Sequence, residues 1–142
     1  LVSTEGRAAE QSQVFQANGN NVRHYPLTLL VDENSASASE IVAGAIKDHH
    51  RGTIVGRKTY GKWSVQSIIH LPGATGLKLT TAKFFSPAHA NYAGKGLAPD
   101  VAVPSPDDTQ VTFYRGRTAD EISADADVAA AIEDLQTRLT RK

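Results

Sequence analysis

The sequence predicts an α/β fold with a mixed sheet and flanking helices. Short apolar runs at 26–33 and 53–56 are typical of parallel strands, and the segment between them, 35–52, places apolar residues at helical spacing. Two alternating, β-rich runs on either side of the PGATG turn at 72–76 predict an antiparallel hairpin. Strands of both kinds therefore accompany at least one helix, which is the pattern of an α/β domain.

Length and composition allow one folded domain. The chain has 142 residues, 15 Lys and Arg against 15 Asp and Glu, and 40% hydrophobic residues, which is enough for one core. No apolar stretch approaches the roughly 20 residues that a membrane-spanning helix requires. The chain lacks Cys, which excludes disulfides, thiol nucleophiles and thiolate metal sites, and it lacks Met, so we expect a fragment of a longer chain.

Charge is distributed unevenly along the chain. Residues 41–99 hold eight Lys and Arg against one Asp, whereas residues 100–134 hold nine Asp and Glu against two Arg. Solvated faces of opposite charge explain this pattern, and so does attraction of an anionic partner to the basic part. Nucleic acid is a poor candidate partner, because the basic residues are spaced singly and few aromatic residues are available for stacking. The Asp and Glu residues lack metal-ligand spacing, so we predict no metal site.

The other elements are predicted from local turn, alternation and periodicity signals. The helix within 35–52 ends in a cationic last turn followed by Gly52, as is typical of a helix C-terminus. Gly6, Gly19 and the Asn18–Asn21 stretch indicate a turn near the start of the chain. In chain order we predict an edge hairpin within 1–25, the hairpin strands 64–71 and 76–85, a long surface loop at 86–100, a short strand at 101–103 and a C-terminal helix at 124–142.

The turn before the first helix contains the first candidate for chemistry. Ser37 and Glu40 fit the S-x-x-E capping box, in which the serine hydroxyl accepts the N–H of residue 40 and the Glu40 carboxylate reaches back. The same position suits a nucleophile, because a hydroxyl at a helix N-terminus lies beside free N–H groups that can stabilise an oxyanion. Capping and catalysis are therefore alternative roles for Ser37.

A serine nucleophile needs a general base, which is most often His. His49 lies roughly 18 Å along the helix axis from Ser37, at 1.5 Å per residue, so it cannot reach that hydroxyl. His50 shares the same last helical turn. The sequence leaves three histidines unconstrained, at positions 24, 70 and 89.

Lysine serves as a base when burial keeps it neutral. Lowering the pKa of a lysine from about 10.4 to roughly 7 to 8 requires a desolvated pocket held by a rigid loop. The sequence around Lys62 is compatible with such a pocket, because Lys62 follows Gly61 and lies between Tyr60 and Trp63 in a loop flanked by strands. A solvated loop lysine is the alternative interpretation.

The same loop, residues 56–62, matches the G-x-x-x-x-G-K pattern of a phosphate-binding loop. In such loops the next residue supplies a hydroxyl for Mg²⁺ and begins a helix. Here the next residue is Trp63, and a β-rich segment follows it. This mismatch argues against a nucleotide site.

Four sequence blocks occur in one order with characteristic spacings: SASASEIVAGAIKD (35–48), VGRKTYGKWSVQ (55–66), LKLTTAKFFSP (77–87) and GKGLAPDV (94–101). Together they resemble the catalytic core of the carboxyl-terminal processing, or tail-specific, serine proteases. The resemblance covers about residues 1–103 and implies the C-terminal part of a crotonase-like (ClpP/crotonase) α/β protease core. Residues 104–142 resemble the more variable tail of this family, which usually ends in a helix. The family's PDZ domain and upstream Gly-Gly segment do not occur in this sequence.

The resemblance also assigns roles by position. It implies that Ser37 is the nucleophile, that Lys62 is the general base and that Gln66 orients the lysine. We expect the Ala38 N–H to supply one oxyanion-hole donor. Asp48 matches an Asp that is sometimes linked to catalysis, but it lies roughly 16 Å along the helix from Ser37, so we predict a structural role for it.

Trp63 departs from the Gly that commonly follows the lysine in this family. We expect its bulk to reshape the pocket or lower its polarity while Lys62 keeps its role. The implied reaction is endopeptidase cleavage near a protein's C-terminus through an acyl-enzyme, with no cofactor, and a non-catalytic peptide-binding relative of the same fold is the alternative.

The resemblance has further implications for partners and location. It implies protein or peptide substrates with a flexible C-terminus, and it leaves the oligomeric state open, a homo-oligomer included. It implies a location in the bacterial periplasm or cell envelope, or in the thylakoid lumen. Because the upstream oxyanion-hole segment does not occur here, we expect the fragment alone to be weakly active or inactive.

Overall fold

The computed structural model describes residues 1–19, 23–105 and 117–140, which form strands in two sheets with three α-helices. In chain order the elements are β1 (Val2–Gly6), a 3₁₀ turn (Ala9–Gln11), β2 (Gln13–Phe15), β3 (Thr28–Val31), α1 (Ala38–Asp48), β4 (Thr53–Gly56), β5 (Ser64–Leu71), β6 (Thr75–Phe85), β7 (Val101–Ala102), α2 (Ala119–Ser123) and α3 (Ala126–Thr140). The antiparallel sheet has the order β2-β1-β6-β5 and the parallel sheet has the order β3-β4-β7. The α/β class is confirmed, with the two kinds of strand in separate sheets.

The predicted strand, helix and second strand form one unit, because β3 pairs in parallel with β4 and α1 connects them. The first strand is less buried than its apolar sequence predicts: Val31 is buried, whereas Leu30 is 39% exposed. The reason is that β3 is an outer strand of its sheet. Val31 and Ile54 pack with Ala43 of α1 and Leu97 to form the core cluster under the parallel sheet.

The N-terminal hairpin is confirmed, but its strands β1 and β2 are joined before the predicted turn at Asn18–Asn21. The chain reverses within residues 7–12, where the Thr4 hydroxyl donates to the Gln11 carbonyl and accepts the Gln13 N–H. The two hydrogen bonds of this hydroxyl stabilise the reversal, in which no asparagine takes part. Residues 20 and 21 of the predicted turn lie outside the described residues.

The predicted C-terminal helix is confirmed as α3, while the short α2 before it was not predicted. Arg57, just after β4, donates two hydrogen bonds of 2.8 Å to Asp127 in α3 and a third to Glu33. The hydrogen bonds from Asp127 raise the pKa of the Arg57 guanidinium above its ordinary value, although partial burial opposes them. Farther along the helix, Arg138 donates to the Thr28 hydroxyl. These contacts fasten α3 to the parallel sheet that carries the loops described below.

Asp100, one residue before β7, holds β4 in place. Its carboxylate accepts the Ile54 N–H at 2.9 Å and the Lys47 ammonium, and its own N–H donates to the Ile54 carbonyl. Partial burial raises the pKa of the Asp100 carboxyl, but the hydrogen bonds from Lys47 and Ile54 outweigh it, so the pKa lies below its ordinary value. Asp100 therefore contributes to stability in its ionised form.

Asp100→Asn is expected to lower the free energy of unfolding by about 1 kcal/mol at neutral pH, discounted because this side chain is more than a third exposed. A lowered folded-state pKa means that the contribution is present above the unfolded pKa of about 3.9 and is lost as pH falls through the folded-state value. Urea unfolding at about pH 7 and about pH 2 should show a difference that shrinks in acid.

Glu133→Gln provides the control for this experiment. Glu133 is exposed and makes no hydrogen bond among residues 1–19, 23–105 and 117–140, so its neutralisation should change stability little at either pH. A destabilisation by Asp100→Asn that stays the same in acid would contradict the role given to the carboxylate.

Candidate active site

Ser37 lies in a strained turn between β3 and α1. Its φ of 57° and ψ of −112° are rarely adopted by residues that carry a Cβ. The Ser37 carbonyl accepts the Ile41 N–H, which begins the helix, but its hydroxyl makes no capping hydrogen bond. The half-buried hydroxyl is thus held at the N-terminus of α1 and remains available for chemistry.

Asp32 organises the segment that leads to Ser37. The Asp32 carboxylate accepts the Ser35 hydroxyl at 2.7 Å and the Asn34 N–H at 3.1 Å. Partial burial raises the pKa of Asp32, but the hydrogen bonds from Ser35 and Asn34 outweigh it, so the pKa is lowered. The Ser35 carbonyl in turn accepts the Tyr60 N–H at 3.0 Å, which joins this turn to the loop that carries Lys62.

Glu40 joins the two predicted catalytic residues. Its carboxylate is fully buried and accepts the Ser37 N–H at 3.0 Å, the Thr59 hydroxyl at 2.5 Å, and the Gly61 and Lys62 N–H groups at 2.7 Å each. One oxygen, Oε2, accepts both the Ser37 N–H and the Lys62 N–H. The backbone nitrogens of Ser37 and Lys62 therefore lie within two hydrogen-bond lengths of each other.

Sequence reasoning identified only half of this role. The Glu40 half of the predicted capping box is present, because Glu40 accepts the Ser37 N–H. No spacing in the sequence predicts the hydrogen bonds of Glu40 to the Lys62 loop, which lies some twenty residues later in the chain. The available signal was orientation: Glu40 lies at helical spacing from Ala43 and Gly44, both buried, which places the acid on the inward face of α1.

The loop that carries Lys62 is interlocked with the segment 91–97. The Thr59 N–H donates to the Leu97 carbonyl, while the Leu97 N–H donates to the Thr59 hydroxyl, and the Gly94 N–H donates to the Gly61 carbonyl. Gly61 has a φ of 92°, and a Cβ there would lie 2.8 Å from the Gly96 nitrogen. Only glycine therefore fits before Lys62.

The Lys62 side chain is exposed, although Gly61 and Trp63 on either side of it are buried. The expectation of a desolvated amine is therefore wrong for this chain by itself. The physical reason is that the loop buries its flanking residues and directs the lysine outward. The structure holds the Lys62 backbone in a defined position but leaves its side chain exposed to solvent.

Ala38 and Asp48 lie at opposite ends of α1. Ala38 is the first helical residue, and within the described parts of the chain its N–H has no acceptor, as expected for the first turn of a helix. That N–H is available to a developing oxyanion. The Asp48 carboxylate accepts the Ala88 N–H at 2.8 Å, which is the structural contact that its distance from Ser37 predicts.

Gln66 lies exposed on β5, opposite Thr80 of β6. A β-bulge between Val65 and Gln66 bends the strand at this point. Among the described residues, Gln66 makes no hydrogen bond with Lys62. Its role in orienting the lysine stays a prediction.

Other chemistries find no support in the described structure. All five histidines are exposed, and none forms a hydrogen bond with Ser37 in the described ranges. The same ranges contain no group of three or more His, Asp or Glu side chains arranged to hold a metal ion. None of the described helices combines the length and the apolar character needed to span a bilayer.

The glycines of the G-x-x-x-x-G-K pattern serve backbone packing. Gly56 has a φ of 126°, and a Cβ there would lie 1.9 Å from the Val31 carbonyl oxygen. The chain then continues into β5 at Ser64, where a phosphate-binding loop would begin a helix. The pattern is accounted for without a nucleotide.

The sequence model of peptidase family S41 matches residues 1–103. The chain belongs to peptidase family S41. It is 44% identical over 107 residues to the carboxy-terminal-processing protease of Bartonella bacilliformis, covering 75% of this chain and 25% of that protein. It is 46% identical over 101 residues to carboxyl-terminal-processing peptidase 3, chloroplastic, of Arabidopsis thaliana, covering 71% of this chain and 20% of that protein.

The S41 fold is also found by structural comparison. The photosystem II D1 C-terminal processing protease matches with a TM-score of 0.65 and 35% sequence identity, covering 72% of this chain and 27% of that one. The resemblance read from the four sequence blocks is thereby confirmed. The present chain spans about a quarter of the length of these relatives.

Proposed function

We propose that the complete protein is a serine endopeptidase that cleaves proteins near their C-terminus with a Ser37/Lys62 dyad. The observation that carries this proposal is that one oxygen of Glu40 accepts the N–H groups of both residues. Membership of family S41 and the printed names of the relatives support the reaction class. The activity is assigned to the complete protein, because this chain covers about a quarter of its relatives.

In the proposed reaction, four groups of this chain take part. Neutral Lys62 takes the proton from Ser37 Oγ as that oxygen attacks the carbonyl carbon of the scissile peptide, and the resulting oxyanion is stabilised by the Ala38 N–H. The C–N bond then breaks, and the leaving amine takes the proton from Lys62. Water hydrolyses the Ser37 ester with Lys62 again acting as base, while Gln66 orients the lysine.

The exposed lysine sets a condition on this mechanism. A hydrated, charged lysine cannot act as a base, so its amine must leave water before reaction. We propose that the complete protease and its bound peptide cover the Lys62 amine. This condition also accounts for a weakly active or inactive chain in isolation.

A non-catalytic peptide-binding relative is the second candidate, and the exposure of Lys62 favours it. Both candidates take protein substrates, for which we propose a flexible C-terminus. The named relatives are bacterial and chloroplastic processing proteases, which is compatible with an extracytoplasmic or lumenal location. Within that range we propose the periplasm or cell envelope.

A fluorophosphonate probe, which labels activated serines, tests the proposal on the complete protease and on this chain. Labelling of the complete protein should map by mass spectrometry to Ser37 and should not change on Ser39→Ala, an exposed serine of the same motif. We expect the isolated chain to label about 10²- to 10³-fold more slowly, since donors and positioning groups are missing. Labelling of neither protein would favour the binding module and contradict the proposal.

A further inference from the structure

We infer that Trp63 is a positioning residue that holds Lys62 against the helix that begins at Ser37. Its catalytic consequence rests on the proposed function. Trp63 directly follows Lys62, is 1% exposed and is the largest fully buried side chain in the described structure. This side chain is therefore not part of the surface around the lysine but part of the packing beneath it.

The indole ring packs between α1 and the segment after β6. Its Cη2 and Cζ2 atoms would lie 3.0 Å and 3.5 Å from a Cβ built on Gly44, so the ring occupies the space left by the missing side chain of that glycine. On another side the ring contacts Tyr92 edge-on, with centroids 5.0 Å apart at an angle of 61°. Through this ring, the position of α1 is coupled to the backbone beside Lys62.

Lys62 is consequently held from both directions along the chain. Its own N–H donates to Glu40, and the carbonyl of the next residue, Trp63, accepts the Phe84 N–H at 3.1 Å. Only the Lys62 side chain faces outward. Because Trp63 directly follows Lys62 in the chain, a displacement of its ring is expected to shift the lysine backbone.

Shape, not polarity, is the contribution of this side chain. The Nε1–H of Trp63 is buried and has no acceptor among residues 1–19, 23–105 and 117–140. Phe lacks this donor, and its single ring is shorter than the fused indole whose Cη2 and Cζ2 atoms reach Gly44. Trp63→Phe should therefore leave a gap at Gly44 that a methyl group can fill.

This complementarity gives a test in the complete protease with the variants Gly44→Ala and Trp63→Phe and their combination. Gly44→Ala alone should lower kcat roughly 10- to 100-fold and leave KM within about twofold, because the added methyl displaces the ring and with it the base. In the Trp63→Phe background the same Gly44→Ala substitution should restore kcat. Trp63→Gly, which removes the ring, should lower kcat about 10²-fold.

Melting temperature separates positioning from stability. Gly44→Ala should lower the melting temperature in the presence of Trp63 and raise it in the Trp63→Phe background, because Ala is the better helix former once the space is free. A lower melting temperature in both backgrounds would overturn the ring contact. A reversal in melting temperature with kcat unchanged throughout would overturn the positioning role. If the wild-type protein neither cleaves peptide nor labels with the probe, the proposed function fails, and the melting reversal still tests the contact.

Discussion

Ser37→Ala in the complete protease is expected to lower peptide cleavage by at least about 10³-fold and to leave its melting temperature nearly unchanged. Activity falls because the acyl-enzyme cannot form. Stability is retained because the Ser37 hydroxyl caps nothing, and because alanine carries the same Cβ at a φ of 57°. Steady-state cleavage of a C-terminally labelled peptide and a thermal melt of both proteins measure the two effects.

Ser37→Gly extends this prediction to the backbone. Glycine adopts a positive φ without steric cost, so this variant should be inactive yet more stable than Ser37→Ala by about 1 kcal/mol. An enzyme that stores strain at its nucleophile gives up stability for function. Equal stabilities of the two variants would show that the turn is not strained.

Lys62→Ala should abolish cleavage to a similar degree, since it removes the proposed general base. Lys58→Ala provides the matched control, because Lys58 is an exposed lysine of the same loop and should be neutral. Undiminished cleavage by Ser37→Ala or Lys62→Ala would refute the dyad.

Glu40→Ala is expected to have the largest effect on stability, a loss of about 3–5 kcal/mol in the free energy of unfolding. Three backbone N–H groups and the Thr59 hydroxyl would lose their acceptor, and these donors lie where the loop meets α1. Denaturant unfolding measures the loss. Labelling by the serine probe should disappear even under conditions in which the variant remains folded, because the tie between Ser37 and Lys62 is gone.

Two variants calibrate the Glu40 result. Glu121→Ala removes a glutamate with the same capping position in α2, where Glu121 accepts the Thr118 N–H but is exposed, so it should have little effect. Thr59→Val removes one donor to Glu40 and also the acceptor of the Leu97 N–H, and it should cost about 1–3 kcal/mol. A Glu40→Ala variant no less stable than Glu121→Ala would mean that Glu40 acts only as a cap.

The local elements could be predicted from the sequence because their signals are local. Apolar spacing in 35–52 predicted α1, and the turn between 64–71 and 76–85 predicted the β5–β6 hairpin. The N-terminal hairpin was predicted with the wrong turn, because a side-chain contact of Thr4 replaces glycine or asparagine turn chemistry. The position of the turn was missed because a side-chain contact, and not the preference of turn residues, determines where the chain reverses.

The candidate site was predictable in its residues but not in its arrangement. The motif around Ser37 and Lys62 implied a dyad, yet neither its proximity nor the exposure of the amine follows from spacing. The proximity depends on Glu40, whose partners lie on a distant loop, and the exposure depends on the burial of Gly61 and Trp63. The packing of Trp63 against Gly44 was equally hidden, since a residue type reveals its volume but not the space that receives it. The division of the chain at residue 103 stays a prediction, because residues 106–116 lie outside the described structure.

The hydrogen bonds that run in both directions between Thr59 and Leu97, with Gly94 bonded to Gly61, have a practical consequence for engineering. If the loop between β4 and β5 that carries Lys62 were transplanted alone into another scaffold, it would lose the hydrogen-bond partners that the segment 91–97 supplies. Transfer of the Lys62 loop between scaffolds would therefore require the segment 91–97 to be moved with it.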